Sequence, residues 1–352
     1  MSRLSIFYIG PNSGTCRHRA LALERLGHRV TIVDPESFLP RHRLVQYWSH
    51  HTGALGIDSV IESGILSAMD HGTFDLVYVD GGQFVSPRVI ATMRKRCDRI
   101  VNYNIDNPFG GRDGRKWRLY LKSVPFYDLL VVVREENVDE AQRCGAKSVL
   151  RVYRSADEVA HAPREMTTAD MQQWKSEVLF IGTQMPERGP FLSRLVELGV
   201  PLSIRGNRWA RAKEWQQLRP YWRGSGIYED DYAKAIQGAD VSLGMLSKEN
   251  RDLHTTRSLE IPYLGGLLCA ERTREHCDLY REGEEAVFWS SADECAEKCF
   301  ALLNDAGLRR RIADSGRLRC IQNRTTNEAV MRRIVEEACK PRQVDLASMS
   351  AR

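Results

Sequence analysis

Apolar residues along the chain fall in short blocks that alternate with stretches of helical spacing. Leu4-Ser5-Ile6-Phe7-Tyr8-Ile9-Gly10 predicts a buried strand, and Pro11-Asn12-Ser13-Gly14 the turn after it. From Arg19 to Leu26 the apolar positions recur at helical intervals and stop at Gly27, after which His28 to Pro35 predicts a second strand. Two strands joined by a helix require a parallel crossover. The pattern continues in strands at Phe74 to Gly81, Arg99 to Asn104 and Leu129 to Val133.

Between about His161 and Ser176 a polar run containing Ala162-Pro163-Arg164 interrupts this order. A second series follows, with strands at Glu177 to Thr183, Pro201 to Gly206 and Asp240 to Gly244, and helices near Phe191 to Leu198 and Tyr232 to Gln237. Strands alternating with helices in two series predict an α/β protein of two Rossmann-like domains facing a central cleft. The expected boundaries are 1–160 and 177–320 for the domains and 161–176 for a linker. Helices are expected at Cys295 to Asn304 and Asn327 to Cys339. A C-terminal helix within 321–340 would pack back on the first domain, ahead of a flexible tail at 341–352.

Length agrees with this division, because 352 residues exceed one ordinary core. No apolar run approaches the 18 or so residues of a membrane helix, and the N-terminus lacks a secretory pattern, which predicts a cytoplasmic protein. The nine cysteines are odd in number, scattered and without CxxC spacing. They read as reduced thiols, with Cys295 and Cys299 sharing a helix face. The formal charge of +5 is uneven: residues 1–155 hold 22 Lys/Arg against 16 Asp/Glu, and the remainder 29 against 30. Arg94-Lys95-Arg96, Arg99, Arg112, Arg115, Lys116, Arg118 and Lys122 would attract phosphates or an anionic bilayer if they are more than a solvated face. No nucleic-acid motif accompanies them, so that partner is excluded.

Candidate chemistry concentrates at Asp252-Leu253-His254-Thr255-Thr256-Arg257-Ser258-Leu259-Glu260, where two carboxylates stand seven residues apart at the mouth of a short helix that Gly265-Gly266 ends. Such a mouth offers backbone N–H groups, and Arg257 adds charge, which together suit a pyrophosphate. Glu260 has two acceptor oxygens for the cis-diol of a ribose. The plainer alternative is a capped helix with an acid in its first turn. Glu229-Asp230-Asp231 directly precedes the helix at Tyr232, so its acids read as complements to a helix dipole, with no metal expected. Gly10-Pro11-Asn12-Ser13-Gly14-Thr15 is not the GxGxxG fingerprint, which argues against an NAD-dependent dehydrogenase. Behind that turn His18 is a candidate base. Asp106 stands where α/β sheets present ligand groups and is the candidate acceptor-side carboxylate; its alternative role is an Asx turn before Pro108.

The order of strand, Gly182 turn, Arg188, strand, Gly206, the Ala239-Asp240 strand, then an acid, seven residues and Glu260 resembles the donor half of glycosyltransferases with the GT-B fold. Much of the chain is similar to the CgeB-like group, named for a spore-maturation protein. Asn104-Ile105-Asp106-Asn107-Pro108-Phe109, Phe180-Ile181-Gly182-Thr183, Glu187-Arg188-Gly189, His254 to Glu260 and Glu282-Gly283-Glu284-Glu285-Ala286 carry that likeness over about residues 100–320. The resemblance implies a metal-independent glycosyltransferase that moves a hexose-type sugar from a nucleoside-diphosphate donor to a hydroxyl acceptor in glycan biosynthesis. UDP is the favoured donor base, with GDP and dTDP as alternatives, and no further cofactor is implied. Glu260 would bind ribose, while Arg188, Arg205 beside Gly206, Arg257, Thr255 and Thr256 would hold the diphosphate. Tyr232 would face the base or sugar, Asp252 and His254 the sugar, and Asp106 or His18 the acceptor. Asp252 replaces the usual Glu, so the stereochemical outcome is left open. An epimerase of the same architecture and a non-catalytic nucleotide-sugar or glycan-binding protein are the alternatives. The basic first half leaves a membrane-bound acceptor and peripheral membrane contact open.

Overall fold

In the computed structural model, residues 2–70 and 72–341 are described. The chain forms two compact units, one from the residues up to Val152 together with those from Met331, the other from Tyr153 to Val330. The expected tail lies outside the described residues apart from Pro341.

Six parallel strands build the first unit: β1 (Ser5–Ile9), β2 (Arg29–Val33), β3 (Leu76–Asp80), β4 (Ile100–Asn104), β5 (Leu129–Val132) and β6 (Val149–Arg151), in the order β2-β1-β3-β4-β5-β6. Every residue of β3, β4 and β5 is buried, as expected of strands covered by helices on both faces. In β3 and β4 the apolar run carries a polar residue at its C-terminal end, Asp80 and Asn104. A parallel sheet aligns those ends on one edge, where its order doubles back between β1 and β3.

The second unit repeats the plan with β7 (Ser176–Ile181), β8 (Leu202–Arg205), β9 (Ala239–Gly244), β10 (Leu268–Glu271) and β11 (Val287–Trp289), all parallel, in the order β11-β10-β9-β7-β8. Its switch point lies between β7 and β9. All eight strands expected from the sequence form; β6, β10 and β11, of three or four residues, were too short to carry a period. From Ala292 onward the described residues form three helices, Ala292–Leu303, Ala306–Gln322 and Asn327–Ala338, where the pattern indicated two. The middle one was hidden by the run Arg309-Arg310-Arg311, which blurs its apolar stripe. Cys295 and Cys299 do share a helix face, and it packs on Cys269 of β10, bringing three buried thiols within 4.8 Å of one another.

Candidate functional site

The switch point of the second sheet is shaped by two glycines. Gly182 follows β7, and its N–H donates to the carbonyl of Arg205 at the end of β8. Gly206 has a φ of +147°, and a Cβ there would lie 1.9 Å from the Gly182 carbonyl oxygen. Only glycine allows the two loops to approach so closely. The indoles of Trp209 and Trp222 donate to the Gly182 and Gly206 carbonyls and hold the pair in place.

Beyond Gly182 the chain enters the helix Arg188–Glu197, whose first residue turns back into the crevice. The Arg188 guanidinium donates to the carbonyls of Thr183 at 2.7 Å, Leu246 at 3.1 Å and Met245 at 3.3 Å, and so bridges the loops after β7 and β9. Its side chain is buried, Nε has no partner, and no carboxylate pairs with it among the described residues. Burial pulls its pKa down to about 10, with Arg257 adding to that direction and Glu187 and Asp252 opposing it. The carbonyls and the Phe180 ring, 5.5 Å from the guanidinium carbon, offset the cost of burial but leave the charge unneutralised, which suits an incoming anion.

The second cation comes from the helix Arg257–Tyr263, ended by Gly265 at a φ of +82° as the sequence indicated. Arg257 donates to Glu260 Oε2 at 2.7 Å and lies 4.7 Å over the Tyr232 ring. The N–H groups of Thr256 and Arg257 have no backbone acceptor among the described residues. Thr255 differs from the expectation, because its N–H is taken by the Ser258 hydroxyl at 3.0 Å.

Glu260 sits deeper than a surface ribose clamp, at 2 % exposure. Its Oε2 accepts from both Arg257 and the Tyr232 hydroxyl, and Oε1 lies 3.5 Å from His161 Nε2. Burial pushes this carboxyl up, but Arg257, His161 and the Tyr232 hydroxyl outweigh it and hold the group ionised below its ordinary value. Oε1, which faces His161 Nε2, keeps one lone pair for a ligand. Tyr232 is likewise corrected: its hydroxyl is spent on Glu260 and its ring on Arg257, so it orders the acid and the cation instead of facing the base or sugar. His161, read as the start of a linker, belongs to this cluster. Its Nδ1 accepts the Asp157 N–H at 2.8 Å, which places the ring proton on Nε2, toward Glu260. Nothing in the sequence near His161 signalled this.

Three expected site residues have other duties. Asp252 is buried in an ion pair with Arg154 at 2.9 Å, so it is not open to a sugar. His254 is 1 % exposed, accepts the Arg154 N–H at 3.0 Å on Nε2 and meets Glu275 through Nδ1. Burial holds it neutral, at about 4. Both residues pin the loop leading into the helix at Arg257 to the irregular segment at Arg154. Arg205 lies 4.8 Å over the Trp174 ring, in the fields of Asp231 and Arg223. Its carbonyl, and not its guanidinium, reaches the Gly182 loop. In the acidic run before Tyr232, Asp230 pairs with Arg164.

In the first unit a cavity of about 260 Å³ lies at the C-terminal ends of β1 to β4. Asp106 lines it with its carboxylate about half exposed, 3.7 Å from Lys116 Nζ. The turn there is made by Asn104, whose Oδ1 accepts the Asp106 N–H at 2.9 Å, so Asp106 keeps its own oxygens. Arg134 donates to the carbonyls of Ile105 and Asp106 and fixes the loop. His18 lies on the helix Gly14–Arg25 and is not among the residues that line this cavity, so the structure does not bring it together with Asp106 there. The sequence reading missed Asp80 and Glu36. Asp80 accepts a bidentate pair from buried Arg19 at 2.7 and 2.9 Å and a further bond from the Tyr8 hydroxyl. Asp34 is occupied by the N–H groups of Asn12 and Glu36. Glu36 is raised by burial and by Asp34 beside it.

Residues 188–336 match a family described as glycosyl transferase-like, and the match begins at the buried arginine of the switch point. Over 95 % of this chain, the structure superimposes on sucrose-phosphate synthase from Thermosynechococcus elongatus, covering 98 % of that chain with a TM-score of 0.69 at 13 % identity. The fold is GT-B. Anabaena HepE, solved with UDP-glucose, gives a TM-score of 0.66 at 12 % identity over 95 % of this chain and 99 % of its own. A glycosyltransferase from Rickettsia africae gives 0.62 at 12 % identity over 96 % and 98 %. No curated protein matches the sequence.

Proposed function

We propose that this GT-B protein is a glycosyltransferase of the CgeB-like kind, which takes a hexose-type sugar from UDP and delivers it to a hydroxyl acceptor. The observation that carries the reading is Arg188, a buried guanidinium with an unpartnered Nε and no carboxylate, placed where the second sheet reverses its order. The UDP-glucose in the HepE crystal supports the choice of base.

In this reading the diphosphate lies between Arg188 and Arg257, and the N–H groups of Thr256 and Arg257 donate to it. Glu260 presents Oε1 to the ribose. As the bond from the anomeric carbon to the diphosphate oxygen breaks, negative charge grows on the departing UDP. Two fixed arginines stabilise that charge without reorganising. The acceptor hydroxyl forms the new bond to the anomeric carbon and gives its proton to a carboxylate, for which Asp106 in the first-unit cavity is the candidate. With arginines neutralising the diphosphate, the reaction proceeds without a divalent metal.

Calorimetric titration of UDP, GDP and dTDP tests the reading, with and without EDTA. UDP should bind in both conditions. Failure of all three nucleotides to bind would overturn the proposal. An epimerase would instead turn a nucleotide sugar, offered without acceptor, into its epimer, whereas a transferase leaves it unchanged or slowly frees UDP.

A further inference from the structure

The helix Arg43–Thr52 turns its apolar stripe outward. It packs through Val45 and buried Ser49, yet Leu44, Tyr47 and Trp48, at positions i, i+3 and i+4, are 71 %, 65 % and 49 % exposed. Leu55 just beyond it and Val60 on the next helix are exposed as well. A soluble domain ordinarily points such a stripe into its core. The stripe is also held in place. Trp48 Nε1 donates to the Leu55 carbonyl at 2.9 Å, and the Tyr47 and His51 rings lie 4.2 Å apart.

The surrounding charge is positive. Arg41 and Arg43 stand at the start of the helix and Arg115 on the segment Gly114–Trp117 packed against it, and none has an ion-pair partner among the described residues. Nearby acids are engaged: Asp58 pairs with Arg118, Glu62 accepts from Ser86, and Asp113 accepts from the Trp117 indole. Leucine and aromatic side chains on one face with arginines at their border make the composition of a helix that lies in a bilayer interface. A protein partner would need acids placed opposite each arginine, whereas an anionic headgroup layer meets all of them without a specific register.

We propose that this helix seats the first unit on an anionic lipid bilayer. Its other edge serves the cavity, because His50 lines that cavity and Gln83, a second lining residue, donates to the Ser49 carbonyl at 3.1 Å. Resting on the transferase reading above, the acceptor is then lipid-linked, its anchor staying in the bilayer while its hydroxyl enters the cavity.

Sedimentation of the full chain with vesicles tests the seating. The protein should pellet with vesicles of equal parts phosphatidylcholine and phosphatidylglycerol and stay in solution with phosphatidylcholine alone. The combined substitutions Leu44→Ser, Tyr47→Ser and Trp48→Ser should weaken binding on the order of tenfold or more. Arg41→Gln with Arg43→Gln should weaken binding and reduce its dependence on salt. UDP affinity, read on the same preparations, should stay at its wild-type value, and a cooperative unfolding transition should persist, lowered only by the loss of the Trp48 hydrogen bond and the Tyr47 ring contact. Wild-type protein remaining in the supernatant, or triple-variant protein pelleting like wild type, would overturn the proposal. So would a concentration-dependent dimer that the triple substitution dissolves, since the stripe would then be a contact between copies. UDP binding reports separately: its absence with intact vesicle binding removes the transferase reading and leaves the seating in place.

Discussion

Replacing Arg188 by Met isolates the feature on which the donor site depends. The substitution keeps an unbranched side chain of similar reach and removes the charge. Keeping the guanidinium out of water costs roughly 3 kcal/mol, taking the fall of its pKa from 12.5 to about 10 at the linkage value per pH unit. Against that stand its hydrogen bonds to the Thr183, Met245 and Leu246 carbonyls, each worth about 1 kcal/mol. The two nearly cancel, so the stability of the free protein should change by no more than about 1 kcal/mol. Binding has no such compensation. Charge-assisted bonds to a phosphate contribute roughly 1.5–3 kcal/mol, so the UDP dissociation constant should rise by about 10- to 150-fold. Calorimetric titration gives the affinity, and denaturant unfolding of the ligand-free protein gives the stability. A loss of stability above about 3 kcal/mol would make Arg188 a structural pin for the two loops. An unchanged dissociation constant would remove the diphosphate from the crevice altogether.

Glu260→Gln should also raise the UDP dissociation constant, since it leaves Arg257 without its anion, and equal affinities for UDP and for uracil-bearing ligands without ribose would contradict the ribose contact. Because Glu260 is held below 4.5, its contribution to stability is complete above that pH and drains away as pH falls through the lower folded value, so wild type and variant should converge in acid unfolding. His254 works over a higher window. It stays neutral in the fold down to about 4, so as pH falls from about 6.5 the unfolded chain gains a proton that the folded chain refuses, and roughly 3 kcal/mol is lost by pH 4. His254→Gln should flatten that part of the pH–stability curve, and an unaltered slope would refute the assignment. Gly206→Ala must relieve a 1.9 Å contact with the Gly182 carbonyl at a φ of +147°, and should lower the midpoint of unfolding by the equivalent of about 3 kcal/mol. A variant as stable as wild type would mean that the loops separate freely.

The strands were legible because burial on both faces leaves continuous apolar runs such as Leu76-Val77-Tyr78-Val79, and such runs depend only on local sequence. The same locality placed Asp106 at a strand end and Gly265 at a helix stop. It also drew attention to Arg188, which opens a helix directly after a glycine turn, and to Glu260. Locality failed wherever a side chain had two plausible directions. His254 and Asp252 sit in the same motif as Arg257 and Glu260, yet they face Arg154, a hundred residues upstream, and become pins instead of sugar contacts. Arg205 is one residue from a glycine that shapes the crevice, yet strand alternation sends its guanidinium to Trp174. His161 lay in a polar stretch that resembled a linker, and only the closing of the second unit brought its ring to Glu260. The sequence by itself therefore determined the α/β class, the tandem arrangement and the segments from which a donor site could be drawn, because strand burial and helix punctuation act over a few residues. Which of those residues meet a ligand and which hold the frame was decided by the tertiary structure, because charges are paired, and buried groups desolvated, by neighbours that sequence separation does not reveal.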